Sequence, residues 1–472
     1  MDKHYSKLCE SLAVAIKRSG LANGGTISFH HHFREGDRVL LAVVGELARL
    51  GFRDLTLASS SLAEAHSELA NYIEQGVIAK IYSSGMRGAL ADRISHGLMA
   101  EPVQIHSHGG RAALMETGEI HPDVAFIGVP SCDRLGNANG VSGQTRCGSL
   151  GYALVDVDYA GCVVLLTEEL APYPNHPASI RQDRVNLIVQ MASVGDPSRI
   201  GVGATRVTKN PRDLLIARRA AQVLTGSGLF NEGFSVQTGS GAAAIATTRY
   251  LREQMSATQT KAAWALGGIT GEMVDLYDAG LVGRLVDTQS FDLRAIDDLK
   301  TNPNHHEISA AEYANPLGLG AYVDELDMVV LSALEIDLDF NVNVLTGSDG
   351  VMRGASGGHC DTARGAKLAI VTAPLLRSRT PTVVEKVTTV ITPGSDIAAL
   401  VTDAGIAVNP NRPELHERLH ALGLPLSPIA DLLQRSIDIA GRPRSPEFGD
   451  KVVAVVRYRD GSVIDEVHEV LK

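Results

Sequence analysis

The chain has 472 residues, 44% of them hydrophobic and 21% charged, with a formal net charge of -11. That length exceeds one ordinary domain, the balance is that of a soluble chain able to bury a large core, and the acidity argues against a nucleic-acid partner, whose phosphates need basic surface. The five cysteines (Cys9, Cys132, Cys147, Cys162, Cys360) form no CxxC pair. They argue against a disulfide framework or a metal site, and a reducing, cytoplasmic setting is expected. No apolar run approaches membrane-spanning length, and the N-terminus lacks a signal-peptide core.

Residues 6–20 predict an amphipathic helix closed by Gly20, followed by TISFHHHFREGD. His30, His31 and His32 read as a strand end at a cleft or interface. Neighbours on a strand face opposite ways, so at most two of them share a ligand sphere. From Asp37, helix and strand patterns alternate. VLLAVVGELARLGF predicts a helix stopped at Gly51, DLTLASS a strand, LAEAHSELANYIEQG a helix, IAKIYSS a strand and MRGALADRISHGL a helix; VQIHSHGG and VAFIGVPS are strands. Such alternation implies parallel β-α units with helices on both faces of a sheet, and ligands then gather at the carboxyl ends of strands. Polar clusters at residues 59–61, 83–85, 107–111 and 130–133 sit where that rule puts a site.

CDRLGNANGVSGQTRCGSLGY is a polar, glycine-rich loop in which Asn137 and Asn139 are candidate ligand contacts. ALVDVDYA and CVVLLTEEL read as strands, APYPNHPASI as loop, and a strand-like piece reaches Val207. The helix-start signal in TKNPRD places a domain boundary near Pro211, giving domains 1–211 and 212–472. The second half repeats the style. RDLLIARRAAQVL predicts a helix, FSVQTGSGAAAIATTRYLREQ a strand, glycine turn and helix, WALGG a strand, GEMVDLYDAGL a helix, and RLVDTQSF a strand. HHEISAAEYANPLG reads as irregular. Two helices, PELHERLHALG and IADLLQRSIDIAG, precede a closing hairpin that turns at Asp460 and Gly461.

The most glycine-dense stretch runs from Asn341 to Pro374, with Gly347, Gly350, Gly354, Gly357, Gly358 and Gly365 between apolar, strand-like ends. Glycine lets another molecule approach the main chain, so exposed N–H groups facing an anion or an oxyanion are expected; a long loop without a ligand is the plain alternative. His359 is a candidate acid, base or donor to a thioester carbonyl, or a buried histidine bonded to backbone. Gly239, Ser240 and Gly241 lie between a strand and a helix start, where amides attract phosphate or carboxylate. Their spacing is neither a P-loop nor a dinucleotide fingerprint. Glu272 opens a helix, as a candidate catalytic carboxylate or a plain N-terminal helix acid. No Gly-x-Ser-x-Gly elbow occurs, which disfavours a serine hydrolase.

GVPSCDRLGNANG, VQTGSGAAAIATT, LGGITGEMVDL, TGSDGVMRGASGGHCDTARGAKLAIV and KVTTVITPGSDIAALVTDAGIAVNP occur in the order found in the α-subunit family of citrate lyase, which the chain resembles over nearly its whole length. SGGHCDTARGA and LVTDAGIA are more distantly similar to motifs of acetyl-CoA hydrolases and CoA-transferases. The resemblance implies two tandem CoA-transferase-like α/β domains with mainly parallel sheets and a site between them. It implies exchange of acetate for citrate on a thioester, with no metal and no permanently bound cofactor. The thioester is carried by phosphoribosyl-dephospho-CoA on a small γ carrier subunit, with acetyl-CoA as a stand-in, and a β subunit cleaves the citryl product. A homo- or hetero-oligomer is expected.

Within that resemblance Gly357 and Gly358 offer oxyanion donors, Arg353, Ser356 and Arg364 meet citrate, and the VQTGSG turn holds the carrier arm. Glu272 matches by context the glutamate that forms a glutamyl-thioester in distant CoA-transferases; in citrate lyase α subunits, citrate attacks directly in a ternary complex. A stand-alone CoA-transferase or acyl-CoA hydrolase is the alternative enzyme, and a ligand-sensing module the non-enzymatic one.

Overall fold

The computed structural model describes residues 6–200, 208–239 and 241–471. Two mostly parallel sheets carry the fold. The first runs, in spatial order, Leu8–Cys9, Leu187–Gln190, Cys162–Leu170, Val124–Cys132, Thr26–Phe29, Leu55–Ser59, Ile78–Ser83, Val103–Ile105, Phe448–Arg457 and Val463–Val470. The second runs His305–Glu307, Leu285–Asp287, Ala262–Gly267, Phe234–Thr238, Met328–Ser332, Leu368–Thr372, Ala399–Val401 and Ile406–Val408. Val124–Cys132 is buried along its whole length, and Phe234–Thr238 likewise, as strands covered on both faces must be.

Each sheet reverses direction near its middle. Thr26–Phe29 pairs with Leu55–Ser59 on one side and Val124–Cys132 on the other. Phe234–Thr238 lies between Ala262–Gly267 and Met328–Ser332. At such a reversal the loops leave toward opposite faces and a crevice opens at the carboxyl ends of the strands. His30, His31 and His32 follow the first of these strands, and Gly239 and Gly241 the second.

Local signals explain most boundaries. Ser11 caps the helix Leu12–Ser19 by accepting from the Val14 amide at 3.3 Å, and Gly20 ends it in the left-handed region. Residues 8 and 9, expected to be helical, instead pair as an edge strand with residues 188 and 189. Asn210 caps the helix Pro211–Gly226. ALVDVDYA, expected as a strand, lies in the helix Gly151–Tyr159. Its alternation was misleading because the helix is buried nearly all round, with Asp156 inside and paired with Arg111 at 2.7 Å. The stretch expected to be irregular holds the strand His305–Glu307 and the helix Ala310–Ala314, which starts with a Ser309 and Glu312 capping box. The glycine-dense stretch is not all loop, since His359–Gly365 is a helix.

The closing hairpin, Phe448–Arg457 and Val463–Val470, turns where expected but belongs to the first sheet, with Ala454 opposite Val103 and Val456 opposite Ile105. Chain order and sheet membership therefore part at the C-terminus.

Candidate active site at the seam between the sheets

The glycine-dense segment is stitched to the first sheet by backbone bonds. The Met86 amide donates to Gly354 O at 3.0 Å, Ser356 to Ser84 O at 2.7 Å, and His108 to Gly357 O at 2.8 Å. Asp361, fully buried on the helix His359–Gly365, accepts from Ser107 Oγ at 2.7 Å and from the Gly109 amide at 2.9 Å. Burial pushes its carboxyl up to about 6, against the pull of those two donors and Arg459. Farther along, Arg34 donates to Ser290 O at 2.6 Å and Phe291 O at 2.9 Å and lies over the Phe291 ring.

Gly357 and Gly358 lie at this seam. Gly357 has φ +56 and Gly358 φ -96, and neither amide donates to any of the described residues. Two successive free N–H groups at such a reversal of backbone hand form a concave anion cradle. The Cβ position at Gly358 lies 2.7 Å from Tyr313 Oη, and that at Gly357 lies 3.6 Å from His108 Nε2. Tyr313 Oη accepts from Gln237 Nε2 at 2.9 Å. The His108 ring packs on Tyr152 at 4.4 Å and on His31 at 5.5 Å, and His31 Nδ1 meets Ser60 Oγ at 2.7 Å.

Burial lowers His108 to about 3, with Arg111 adding to the effect, and it drives His31 well down. Burial also raises the phenols of Tyr152 and Tyr313. At neutral pH the pocket is thus lined by uncharged imidazoles and phenols beside free amides. That set stabilises a developing oxyanion by hydrogen bonding and has no group poised for acid-base work.

The other sequence candidates fall into place around it. His359 has both nitrogens engaged, Nδ1 with Thr392 Oγ1 at 2.7 Å and Nε2 with Ser332 O at 3.0 Å, so neither is left for a thioester; burial lowers it to about 4. It buttresses the end of Met328–Ser332. Ser356 is buried, its Oγ 4.0 Å from Cys360 Sγ. Arg353 is exposed and paired with Asp349, and Arg364 is exposed with Nη1 3.6 Å from Asp396. Gly239 donates to Val330 O at 2.8 Å. Gly241 starts the helix Ala242–Thr258, which has no side-chain cap, and sits against Ser332. Ser240 lies outside the described residues.

Asn137 and Asn139, expected to touch a ligand, knit their own loop. Asn137 bonds to Asp133 at 2.7 Å and to Gln182, and Asn139 accepts from Val141 and Ser142 and donates to Pro177 O at 2.8 Å. Their side chains are used up by the turn chemistry that suits asparagine to such loops. Glu272 is half-buried in a separate cleft of ≈ 250 Å³ lined by Ile245, Thr270, Asp275, Asp292 and Arg294. Desolvation raises its carboxyl, with Asp275 adding to the shift and Arg249 and Arg252 opposing it.

His31 was read from the sequence only as part of a strand end at a cleft or interface, and His108, Tyr152, Tyr313 and Gln237 were not singled out. The carboxyl-end rule marks residues 107–111 but does not say which side chain turns inward. Tyr152 and Tyr313 lie on the helices Gly151–Tyr159 and Ala310–Ala314, in stretches expected to be loop and irregular. Among the described residues no helix is long and apolar enough to cross a membrane.

The family model described as "Citrate lyase, alpha subunit" matches residues 5–470. The chain is 60% identical to the citrate lyase alpha chain of Klebsiella pneumoniae over 469 residues, 99% of this chain and 92% of that one. It is 60% identical to the alpha chain of Escherichia coli K12 over 464 residues, 98% and 91% of the two. The crystal structure of a citrate lyase alpha subunit from Streptococcus mutans in complex with citrate superposes with a TM-score of 0.98 at 52% identity, over 100% of this chain and 93% of that one. A Pseudomonas malonate decarboxylase hetero-tetramer, with malonate bound, supplies a chain of TM-score 0.68 at 16% identity over 92% of this chain and 87% of that one, a likeness of fold alone. Matched over nearly its whole length by that family model and by relatives of the same name, the chain belongs to the citrate lyase alpha-subunit family.

Proposed function

We propose that the seam pocket exchanges acetate for citrate on a carrier thioester, converting acetyl-carrier and citrate to citryl-carrier and acetate. The observation that carries this reading is the pair of free amides at Gly357 and Gly358, set among uncharged donors. The citrate in the S. mutans relative supports the choice of acid. In the first step a citrate carboxylate oxygen attacks the thioester carbonyl. A C–O bond forms, the C–S bond breaks, and the thiolate leaves with its electron pair. The thiolate then attacks the citryl carbonyl of the mixed anhydride and acetate departs. No electron is transferred to a cofactor and no net proton is consumed, so oxyanion stabilisation and positioning suffice.

The two sheets act as two domains dividing near residue 211, with the terminal hairpin returning to the first. The thiol belongs to a phosphoribosyl-dephospho-CoA arm on a γ carrier subunit, with acetyl-CoA as substitute, and a β subunit cleaves the citryl product. The uncapped start of Ala242–Thr258, beside Gly241, suits the phosphates of that arm. Arg353 and Arg364, exposed and paired with Asp349 and Asp396, exchange those partners for the outer carboxylates of citrate. His359 has a supporting role, and Asn137, Asn139 and Ser356 have none in binding. The test is mass identification of a citryl thioester after the chain is mixed with acetyl-CoA and citrate; hydrolysis to CoA without that product would refute the reading.

Glu272 stands in its own cleft, and the reading gives it a place along the carrier arm without covalent attack. Glu272→Gln is expected to slow exchange by less than about tenfold, and no acyl adduct should be trapped on the wild-type protein by mass spectrometry. A loss beyond about 10³-fold, with an adduct on Glu272, would restore the covalent nucleophile of the CoA-transferases.

A further inference from the structure

The polar side chains around Gly357 and Gly358 are not equally engaged. Tyr313 Oη accepts from Gln237 and keeps its own proton, His31 has Nδ1 tied to Ser60, and His359 spends both nitrogens on Thr392 and Ser332. His108 has neither ring nitrogen engaged. Its Nδ1 is buried without a partner among the described residues, and its Nε2 is the one heavy atom among them, Gly357's chain neighbours aside, within 4 Å of the Cβ position at Gly357.

The ring is nonetheless firmly held. His108 opens the helix His108–Glu116, and its own amide donates to Gly357 O at 2.8 Å. Its chain neighbours Ser107 and Gly109 both donate to Asp361, at 2.7 and 2.9 Å. Tyr152 and His31 pack on its faces at 4.4 and 5.5 Å. We assign the ring proton to Nε2, because an unmet buried acceptor at Nδ1 is better tolerated than an unmet buried N–H. A rigid imidazole with its N–H facing open space beside two free amides has a hydrogen bond to give, and none of the described residues receives it.

The geometry points to His108 as a catalytic residue of the exchange: its Nε2–H joins the amides of Gly357 and Gly358 in holding the thioester carbonyl oxygen as it becomes an oxyanion. The inference rests on the seam pocket being the exchange site. As the citrate oxygen adds and the C–S bond breaks, negative charge appears on that oxygen and then passes to the thiolate. The His108 proton stays on Nε2 throughout, so the step balances without an acid or a base. Asp361 is a positioning residue, fixing through Ser107 and Gly109 the turn that aims the ring.

The test compares citrate-dependent acetate release from acetyl-CoA by the full-length wild type, His108→Ala, His108→Phe and His108→Gln. Phe keeps the ring packing on Tyr152 and His31 without a donor, so the comparison survives if Ala does not fold. Both donor-less variants should lose about 100-fold in kcat with KM for citrate and acetyl-CoA within about threefold, and Gln, a neutral donor of similar reach, should recover about tenfold. A kcat within about threefold of wild type in a folded donor-less variant would overturn the inference, as would a loss confined to the KM for citrate. Wild-type chain without exchange would remove the functional reading and this inference together, whereas active wild type with active His108→Phe removes the inference alone.

Discussion

Gly357→Ala is expected to cut citrate-dependent exchange by about 10²–10³-fold while leaving the protein folded. The amide of residue 357 remains, but the added methyl takes the space in which the oxyanion would form, so the loss is expected to match that of an oxyanion donor. The added methyl would point into the open space that faces His108 Nε2, with no other atom within 4 Å, so nothing in the core must move. The backbone cost of a side chain at φ +56 is about 1–2 kcal/mol, out of a stability on the order of 5–15 kcal/mol, so the melt should fall by a few degrees without unfolding the protein. Steady-state kinetics with a thermal melt on the same preparation separates the two effects. An activity within about threefold of wild type would mean that the thioester oxygen lies elsewhere.

Gly85→Ala should fail in the opposite way, through the fold. A Cβ there would stand 2.2 Å from Gly354 O and 2.3 Å from Ala355 Cα, both on the backbone that crosses the seam. No side-chain rotation relieves that overlap, so residues 354–357 must lift from residues 84–86. The cost is about 3 kcal/mol, at the upper end of overpacking, and the Met86 and Ser356 backbone bonds are lost with it. A lower melting temperature, earlier proteolysis and lost exchange should appear together. A melt unchanged within about a degree would show that the seam is not the close contact described.

The contrast between the two glycines shows what the sequence made legible. Alternating apolar runs and their glycine stops pointed to parallel α/β units in both halves, the carboxyl-end rule marked residues 107–111 among others, and glycine density marked the stretch from Asn341 to Pro374. Gly357 and Gly358 were legible as candidate amide donors because two adjacent glycines leave the main chain bare. The side chains that complete the pocket were not. Tyr152 rides a helix buried nearly all round, which shows no polar stripe to reveal its period. His359 and His108 look alike in sequence, each beside a glycine pair, and only their partners distinguish them: Thr392 and Ser332 take up the first ring, and none of the described residues hydrogen-bonds the second. The same applies to Asn137 and Asn139, whose polarity reads as ligand contact until Asp133, Gln182 and Pro177 claim it. The return of the terminal hairpin to Val103–Ile105 is a contact between distant parts of the chain, and no local signal encodes it.

The most direct measurement is acetate release from acetyl-CoA by the purified chain, with and without citrate, with the product thioester identified by mass. The account predicts release that requires citrate and yields citryl-CoA in equal amount, faster when an acetylated carrier subunit replaces acetyl-CoA. Release that proceeds without citrate, giving free CoA and no citryl thioester, would contradict it and mark the pocket as that of a hydrolase.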